Sequence, residues 1–206
     1  MLTIEKLSLN FGVNEIFNNL SLSLYSGSAL IVSGRNGSGK TSLLKIIAGI
    51  IKPKQGNILW DNQDINSFRY DFNGDLRFIS DKIFLKPQLT VIENLKFFSK
   101  LHDTELSLAA AINFFKLDNI LDKKISKIST GMQKKVQLSL LLSCPATIWL
   151  LDEPTVHLDD FSKKQLLGLI NNHIENKGIA IIVSHEIDLF KTYPILLIED
   201  FKNDYC

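Results

Sequence analysis

One segment, Gly34-Arg35-Asn36-Gly37-Ser38-Gly39-Lys40-Thr41, constrains the fold more than any other part of the chain. It follows a short apolar run at residues 29–32 and precedes a helical pattern at residues 40–48, which Gly49 is suited to end. Glycines at this spacing, between a strand and a helix, let backbone N–H groups converge on phosphate oxygens at a helix N-terminus. The sequence therefore predicts a phosphate-binding loop.

Two side chains of this loop have predicted roles. Lys40 can reach the β- and γ-phosphates of a nucleotide, and the Thr41 hydroxyl can ligate Mg²⁺. The alternative is a flexible glycine turn, but a chance match to the pattern in a chain of this composition is roughly a 1% event. The candidate nucleotide-binding residues of the loop are Gly34, Arg35, Asn36, Gly37, Ser38, Gly39, Lys40, Thr41 and Ser42.

A second signal is the run Ile148-Trp149-Leu150-Leu151-Asp152-Glu153-Pro154. Its four apolar residues predict a buried strand, and open α/β sheets bind their ligands at the carboxyl ends of such strands. Asp152 is the candidate Mg²⁺ ligand, directly or through water. Glu153 is placed to accept a proton from an attacking water. An acidic pair after a strand is usually a solvated loop, but downstream of a phosphate-binding loop we favour the catalytic interpretation.

Composition narrows the class of protein. The 206 residues are 45% apolar and carry 23 basic and 22 acidic side chains, which disfavours a strongly basic nucleic-acid binder. Cys144 and Cys206 are far apart and lack metal-site spacing, so we expect neither a zinc site nor a disulfide framework. We expect the protein to reside in a reducing compartment. The sequence has neither a run of about 20 apolar residues nor a secretory signal. We expect a soluble, intracellular protein that can still dock on a membrane protein.

Strand and helix patterns alternate along the chain. Residues 1–30 alternate like strands, residues 58–60 predict a strand followed by a turn, and residues 90 to about 121 are mostly helical. Residues 148–151 and 179–183 then return to buried-strand character. Such alternation predicts a mainly parallel sheet covered on both faces. We expect a single domain over residues 1–206, with about 88–145 as a helical insert.

The combination of motifs resembles the ATP-binding cassette family over residues 4 to about 198. The resemblance implies an α/β fold: a P-loop NTPase core with a mainly parallel sheet, an N-terminal antiparallel β part and an inserted helical subdomain. Ser129 and Gly131 match the family signature, which binds the γ-phosphate held by the opposite subunit. Thr130 replaces the usual first glycine, and Met132 replaces the residue after the second. His157-Leu158-Asp159 resembles the loop that crosses the dimer interface.

The resemblance also implies roles for three other positions. His185, in Val183-Ser184-His185-Glu186, resembles the histidine that contacts the γ-phosphate. Phe11 lies where the family often stacks an aromatic ring on adenine, although a core phenylalanine is the alternative. Lys82 aligns with a glutamine that contacts Mg²⁺ and the attacking water. An ammonium cannot ligate a metal as an amide oxygen can.

These roles together imply an ATP hydrolase with ATP and Mg²⁺ as cofactors and Glu153 and His185 as catalytic residues. They also imply a homodimer with ATP at its interface, bound to membrane-spanning transporter subunits. Within the family, three segments with two tryptophans resemble the ATP-binding subunits of cytochrome c maturation systems; they are residues 56–60, 89–98 and 146–154. Such subunits sit peripherally on the cytoplasmic face of the inner membrane and are thought to serve haem export or release of a haem-loaded chaperone.

Other functions remain open at this point. The chain could serve another exporter, for lipid, drug or peptide. Thr130, Met132 and Lys82 suggest a catalytically slow nucleotide-binding adaptor, whereas Glu153 and His185 argue against one. A P-loop GTPase or small-molecule kinase is disfavoured because the sequence lacks the guanine-reading Asn-Lys-x-Asp motif.

Overall fold

Two β-sheets and six α-helices form the part of the chain that the computed structural model describes, residues 1–102 and 108–202. Cys206 and the predicted helical residues 103–107 lie outside the described residues. The strands are β1 (Leu2–Phe11), β2 (Asn14–Leu24), β3 (Ser28–Ser33), β4 (Gln55–Trp60), β5 (Gln63–Asp64), β6 (Leu76–Ile79), β7 (Ile148–Asp152), β8 (Ile179–Val183) and β9 (Ile195–Leu197). The helices are α1 (Lys40–Ile47), α2 (Arg69–Gly74), α3 (Val91–Leu101), α4 (Leu108–Phe115), α5 (Thr130–Ser143) and α6 (Asp160–Glu175).

The N-terminal strands form an antiparallel sheet in the order β2-β1-β4-β5. Leu2 pairs with Leu24 on one side and Trp60 on the other, so alternate side chains of β1 enter the core. Asp61 and Asn62, both at positive φ, make the predicted turn between β4 and β5. Two residues at positive φ are typical of tight hairpin turns.

The second sheet is parallel, in the order β6-β7-β8-β3-β9. Every residue of β7 and β8 is buried, because helices or the other sheet cover both faces. Ile148 and Leu150 pack toward α1 and the antiparallel sheet, whereas Trp149 and Leu151 pack toward α5 and α6. The carboxyl ends of β3, β6, β7 and β8 meet at one edge. The predicted α/β class, with its N-terminal antiparallel part, is confirmed.

Helices α3, α4 and α5 lie between β6 and β7 in the chain. Helix α3 begins with a capping box, in which Thr90 and Glu93 each bond the other's backbone N–H. Residues 87–92 run beside residues 121–126: Val91 N–H donates to Lys123 O and Ile125 N–H donates to Leu89 O, both at 3.0 Å. The chain therefore enters and leaves α3 and α4 through one paired stem. The bounds 88–145 for a helical insert stay a prediction.

No helix in the described ranges combines the length and the apolar character that crossing a bilayer demands.

Candidate functional site

The glycine-rich loop joins β3 to α1, as the sequence predicts. Gly39 is the residue before α1 and lies at φ +106°, where a Cβ would collide with Ile16. Gly34 is also at positive φ, and a Cβ there would collide with Glu199. Only glycine fits either position, because the loop packs closely on its neighbours and both residues have positive φ.

Hydrogen bonds with the side chains of Lys40 and Glu199 fix the first two residues of the loop, Gly34 and Arg35. Lys40 is 7% exposed, and its Nζ donates to the carbonyl oxygens of Gly34 at 2.8 Å and Arg35 at 2.9 Å. The carboxylate of Glu199, which follows β9, accepts the Arg35 backbone N–H. This hydrogen bond and the nearby Lys40 ammonium lower the pKa of Glu199. The ammonium is thus held at the loop, where phosphate oxygens would be bound.

Thr41 and Asp152 meet where α1 faces the end of β7. The Thr41 hydroxyl donates to the two carboxylate oxygens of Asp152 at 3.1 and 2.9 Å. Asp152 is 2% exposed; burial raises its pKa, and the Thr41 hydrogen bond opposes that rise. A hydroxyl and a carboxylate side by side are the hard oxygen ligands that Mg²⁺ prefers, so the donor set fits a magnesium ion. Among the described residues, no group of three or more His, Cys, Asp or Glu side chains forms a complete metal cage.

Glu153 follows at φ +45°, an uncommon conformation for a non-glycine residue. Its backbone N–H donates to Val183 O at 2.9 Å, which ties it to the end of β8. His185 Nε2 lies 3.3 Å from Glu153 Oε1. Burial raises the pKa of Glu153, and the adjacent His185 opposes the rise. A half-buried carboxylate with a raised pKa is suited to accept a proton from water.

These groups surround one open cavity of about 560 Å³. Ten predicted site residues line it; they are Phe11, Asn36, Gly37, Gly39, Lys40, Thr41, Ser42, Asp152, Glu153 and His185. Phe11 lies at the rim and is 55% exposed, so the alternative that it is a core phenylalanine is wrong. Gly34, Arg35 and Ser38 complete the loop without lining the cavity.

Ser129 and Gly131 lie apart from this cavity. Ser129 precedes α5, and its hydroxyl accepts the Met132 N–H at 3.3 Å. A Cβ on Gly131 would come within 2.7 Å of His157 O, so the signature segment packs against residues 157–159 of its own chain. Lys135 Nζ pairs with Asp159 Oδ2 at 3.1 Å in the same region.

The cavity also contains residues that the sequence reasoning missed, notably Asp81 and Glu186. Lys82, the residue aligned with the family glutamine, does not line the cavity, whereas its neighbour Asp81 does. Asp81 closely follows β6, and the carboxyl ends of parallel strands share one edge. That rule, which located Asp152, could have found Asp81 as well.

Comparison with protein families shows that the ABC transporter model matches residues 17–156. A cytochrome c biogenesis ATP-binding export protein CcmA from Rickettsia bellii is 37% identical over 196 residues, covering 95% of this chain and 98% of that protein. The protein of the same name from Vibrio vulnificus is 33% identical, covering 95% and 97%. ABC transporter I family member 1 from Arabidopsis thaliana is 34% identical, covering 89% and 81%.

Solved structures share the fold. A putative ABC transporter ATP-binding protein from Pyrococcus furiosus superposes with a TM-score of 0.81 at 26% identity, covering 98% of this chain and 99% of that one. A dimeric ATP-binding cassette in a post-hydrolysis state, bound to ADP and Pi, gives a TM-score of 0.86 at 22% identity, covering 99% and 97%.

Proposed function

Because the chain belongs to the ABC transporter family, we propose that it energises an inner-membrane transporter complex in c-type cytochrome biogenesis. Its membership confirms the family predicted from the sequence, and with it nucleotide binding and ATP hydrolysis as the activity. The specific role is supported by curated relatives named for cytochrome c biogenesis that align along nearly the whole chain. Either haem export or release of a haem-loaded chaperone would be the energised step. An exporter of lipid, drug or peptide is the alternative.

The catalytic assignment rests on one observation, the position of Glu153. It lies beside His185 and directly follows Asp152, which accepts a hydrogen bond from Thr41. It also lines the same cavity as Lys40. In this proposal Lys40 and the loop N–H groups bind the phosphates, and Phe11 stacks on the base at the rim. Glu153 accepts the proton of the attacking water, and His185 contacts the γ-phosphate. Thr41 and Asp152 would hold Mg²⁺, which neutralises phosphate charge when bound.

The assembly is also part of the proposal. We infer a homodimer with ATP at its interface, in which Ser129 and Gly131 serve the partner's nucleotide. This arrangement is supported by the separation of both residues from the cavity of their own chain. We further infer one ATP-binding domain over residues 1–206, with the helical part at 88–145. It would bind membrane-spanning subunits peripherally, at the cytoplasmic face of the inner membrane.

The variant Glu153→Gln tests the activity and the role together. The amide is nearly isosteric but cannot accept a proton, so ATP hydrolysis should fall at least about 100-fold while ATP binding persists. In a strain lacking this gene, the parental chain should restore haem-stained c-type cytochromes and Glu153→Gln should not. Normal cytochromes in the deletion strain would reject the cytochrome role and favour another exporter. Hydrolysis by Glu153→Gln at the parental rate would reject Glu153 as the base.

A further inference from the structure

Glu186, the residue after His185, lines the nucleotide cavity but has no part in the proposed reaction. Its carboxylate is bound by a residue that does not line the cavity, because Lys163 Nζ of α6 donates to Glu186 Oε1 at 2.7 Å. A charge-assisted hydrogen bond of this length is a strong one. The ion pair therefore joins α6 to the segment that carries His185.

The segment around His185 is anchored on both sides of that residue. Ser184 is fully buried after β8, and its hydroxyl accepts the Glu186 N–H at 3.0 Å. On the other side, the Leu189 N–H donates to Glu186 O at 3.1 Å, and Phe190 is fully buried. The side chain of His185 is itself 50% exposed, so its position depends on these neighbours.

Lys163 belongs to the segment that follows Glu153. That segment leaves β7 and leads into α6, and Lys163 lies in the first turn of this helix. The two segments are already joined once, since the Glu153 N–H donates to Val183 O at the end of β8. The pair of Lys163 and Glu186 is a second link between them. His185 lies between the two links, and Glu153 is part of the first.

We propose that Lys163 is a positioning residue: through Glu186 it holds His185 in the position beside Glu153 that hydrolysis requires. In the structure His185 Nε2 lies 3.3 Å from Glu153 Oε1. Without the ion pair, the turn at residues 185–186 can rotate toward solvent, and the imidazole leaves the γ-phosphate that it is proposed to contact. The inference rests on the proposed roles of His185 and Glu153 and extends them.

The exposure of the ion pair separates this role from a structural one. The side chains of Lys163 and Glu186 are 23% and 41% exposed, and ion pairs between exposed side chains contribute little to folding. Variants of either residue should therefore fold, with unfolding temperatures close to that of the parent. Their effect should appear in the rate of hydrolysis and not in ATP affinity, because the phosphate-binding loop is unchanged.

The test compares substitutions at Lys163 in the full chain. Lys163→Met removes the ion pair and keeps the length of the side chain. Single-turnover ATP hydrolysis should slow about tenfold while ATP affinity stays parental, since a displacement of about 1 Å at a reacting group can cost about 100-fold. Lys163→Arg can keep the pair and should retain most of the rate. Equal slowing in Lys163→Arg and Lys163→Met, or an unchanged rate in Lys163→Met, would overturn the proposal.

Lys164→Met is the matched control for these variants. Lys164 is the next lysine of α6, it is exposed, and its side chain is turned by about 100° around the helix from that of Lys163. The control should hydrolyse ATP at the parental rate. Slowing equal to that of Lys163→Met would mean that any lost charge on α6 acts alike, and would refute the specific link to Glu186.

A double variant distinguishes position from charge. K163M/E186Q removes both charges without restoring the link, so it should remain as slow as Lys163→Met. Recovery of the parental rate would show that the unpaired Glu186 charge slows hydrolysis, and would overturn the proposal. Should Lys163→Met not fold, Glu186→Gln breaks the same pair and should slow hydrolysis equally. Failure of both single variants to fold would make the pair structural and refute the proposal.

The His185→Ala background separates this inference from the proposed function. If Lys163 acts through His185, Lys163→Met should slow the parental chain but should not slow His185→Ala further. Equal slowing in both backgrounds would reject only the role of Lys163. A His185→Ala chain that hydrolyses ATP at the parental rate would instead reject the proposed role of His185, and this inference with it.

Discussion

The ammonium of Lys40 bonds two carbonyl oxygens of its own loop, Gly34 O and Arg35 O. These bonds hold the charge at the proposed phosphate site, so we expect little side-chain ordering to be needed when ATP binds. A preoriented cation of this kind contributes chiefly to nucleotide affinity.

Lys40→Ala should therefore weaken ATP binding by about 1.5–3 kcal/mol, or about 10- to 150-fold, through loss of charge-assisted contacts. Equilibrium titration with a fluorescent ATP analogue measures this change. Lys52→Ala removes an exposed lysine elsewhere on the surface and should leave the affinity unchanged. Equal affinities for Lys40→Ala and the parent would contradict the phosphate-binding role.

The pH dependence of hydrolysis should report on Glu153, the proposed base. Burial raises its pKa and His185 opposes the rise, so the base is ionised only above a pKa higher than that of an exposed glutamate. Hydrolysis should fall as the pH drops through this value. His185→Ala removes the opposing effect, so the acid limb of the rate should move to higher pH, in addition to any loss of rate. Single-turnover rates across a pH series locate the acid limb in the parent and in His185→Ala. An acid limb at the same pH in both chains would show that His185 does not act on Glu153.

At the scale of elements, the residue before α6, Asp159, caps the N-terminus of that helix. Asp159 precedes the helix and accepts the Ser162 N–H at 2.7 Å, and hydrogen bonds to Ser162 and Lys135 lower its pKa to about 2. A carboxylate whose pKa is lower in the folded chain stabilises the fold above its unfolded pKa, and this stabilisation is lost as pH falls toward about 2.

Asp159→Ala should accordingly lower the urea midpoint at neutral pH, and the gap to the parent should narrow as the solution is acidified below pH of about 4. Asp160→Ala is the control, because Asp160 is exposed in the first turn of α6 and does not cap it. A gap that stays constant down to the acid transition would mean that ionised Asp159 contributes nothing.

Elements differed in how far the sequence could predict them. The strands β3, β7 and β8 are continuous apolar runs because both faces of the parallel sheet are covered, and such runs are visible in any sequence. β5 has two residues and α2 has six, too few for a period to emerge. The glycine-rich loop and the Asp152–Glu153 pair were also predictable, because each is encoded by consecutive residues of the sequence. The contacts of Lys134 with Ser80 and of Glu199 with Arg35 join residues 54 and 164 positions apart, which no local pattern encodes.

For the molecule as a whole, the separation of Ser129 and Gly131 from their own cavity makes a shared site testable. Mixing Lys40→Ala chains with Ser129→Arg chains gives dimers with one site carrying both defects and one carrying neither. Composite sites predict recovery of part of the activity on mixing, although each variant alone is inactive. ATPase assays of the mixture and its components measure this, and a mixture no more active than its components would refute shared sites.

The paired stem formed by residues 87–92 and 121–126 has a consequence for how such chains diverge. Because entry and exit are adjacent, residues between them can change in length or sequence without altering the register of the strands that carry Asp152 and Glu153. Selection can therefore remodel the residues between the two halves of the stem while the edge that carries Asp152 and Glu153 is inherited intact. The stem thus separates residues that are free to vary from the parallel sheet, whose register is not.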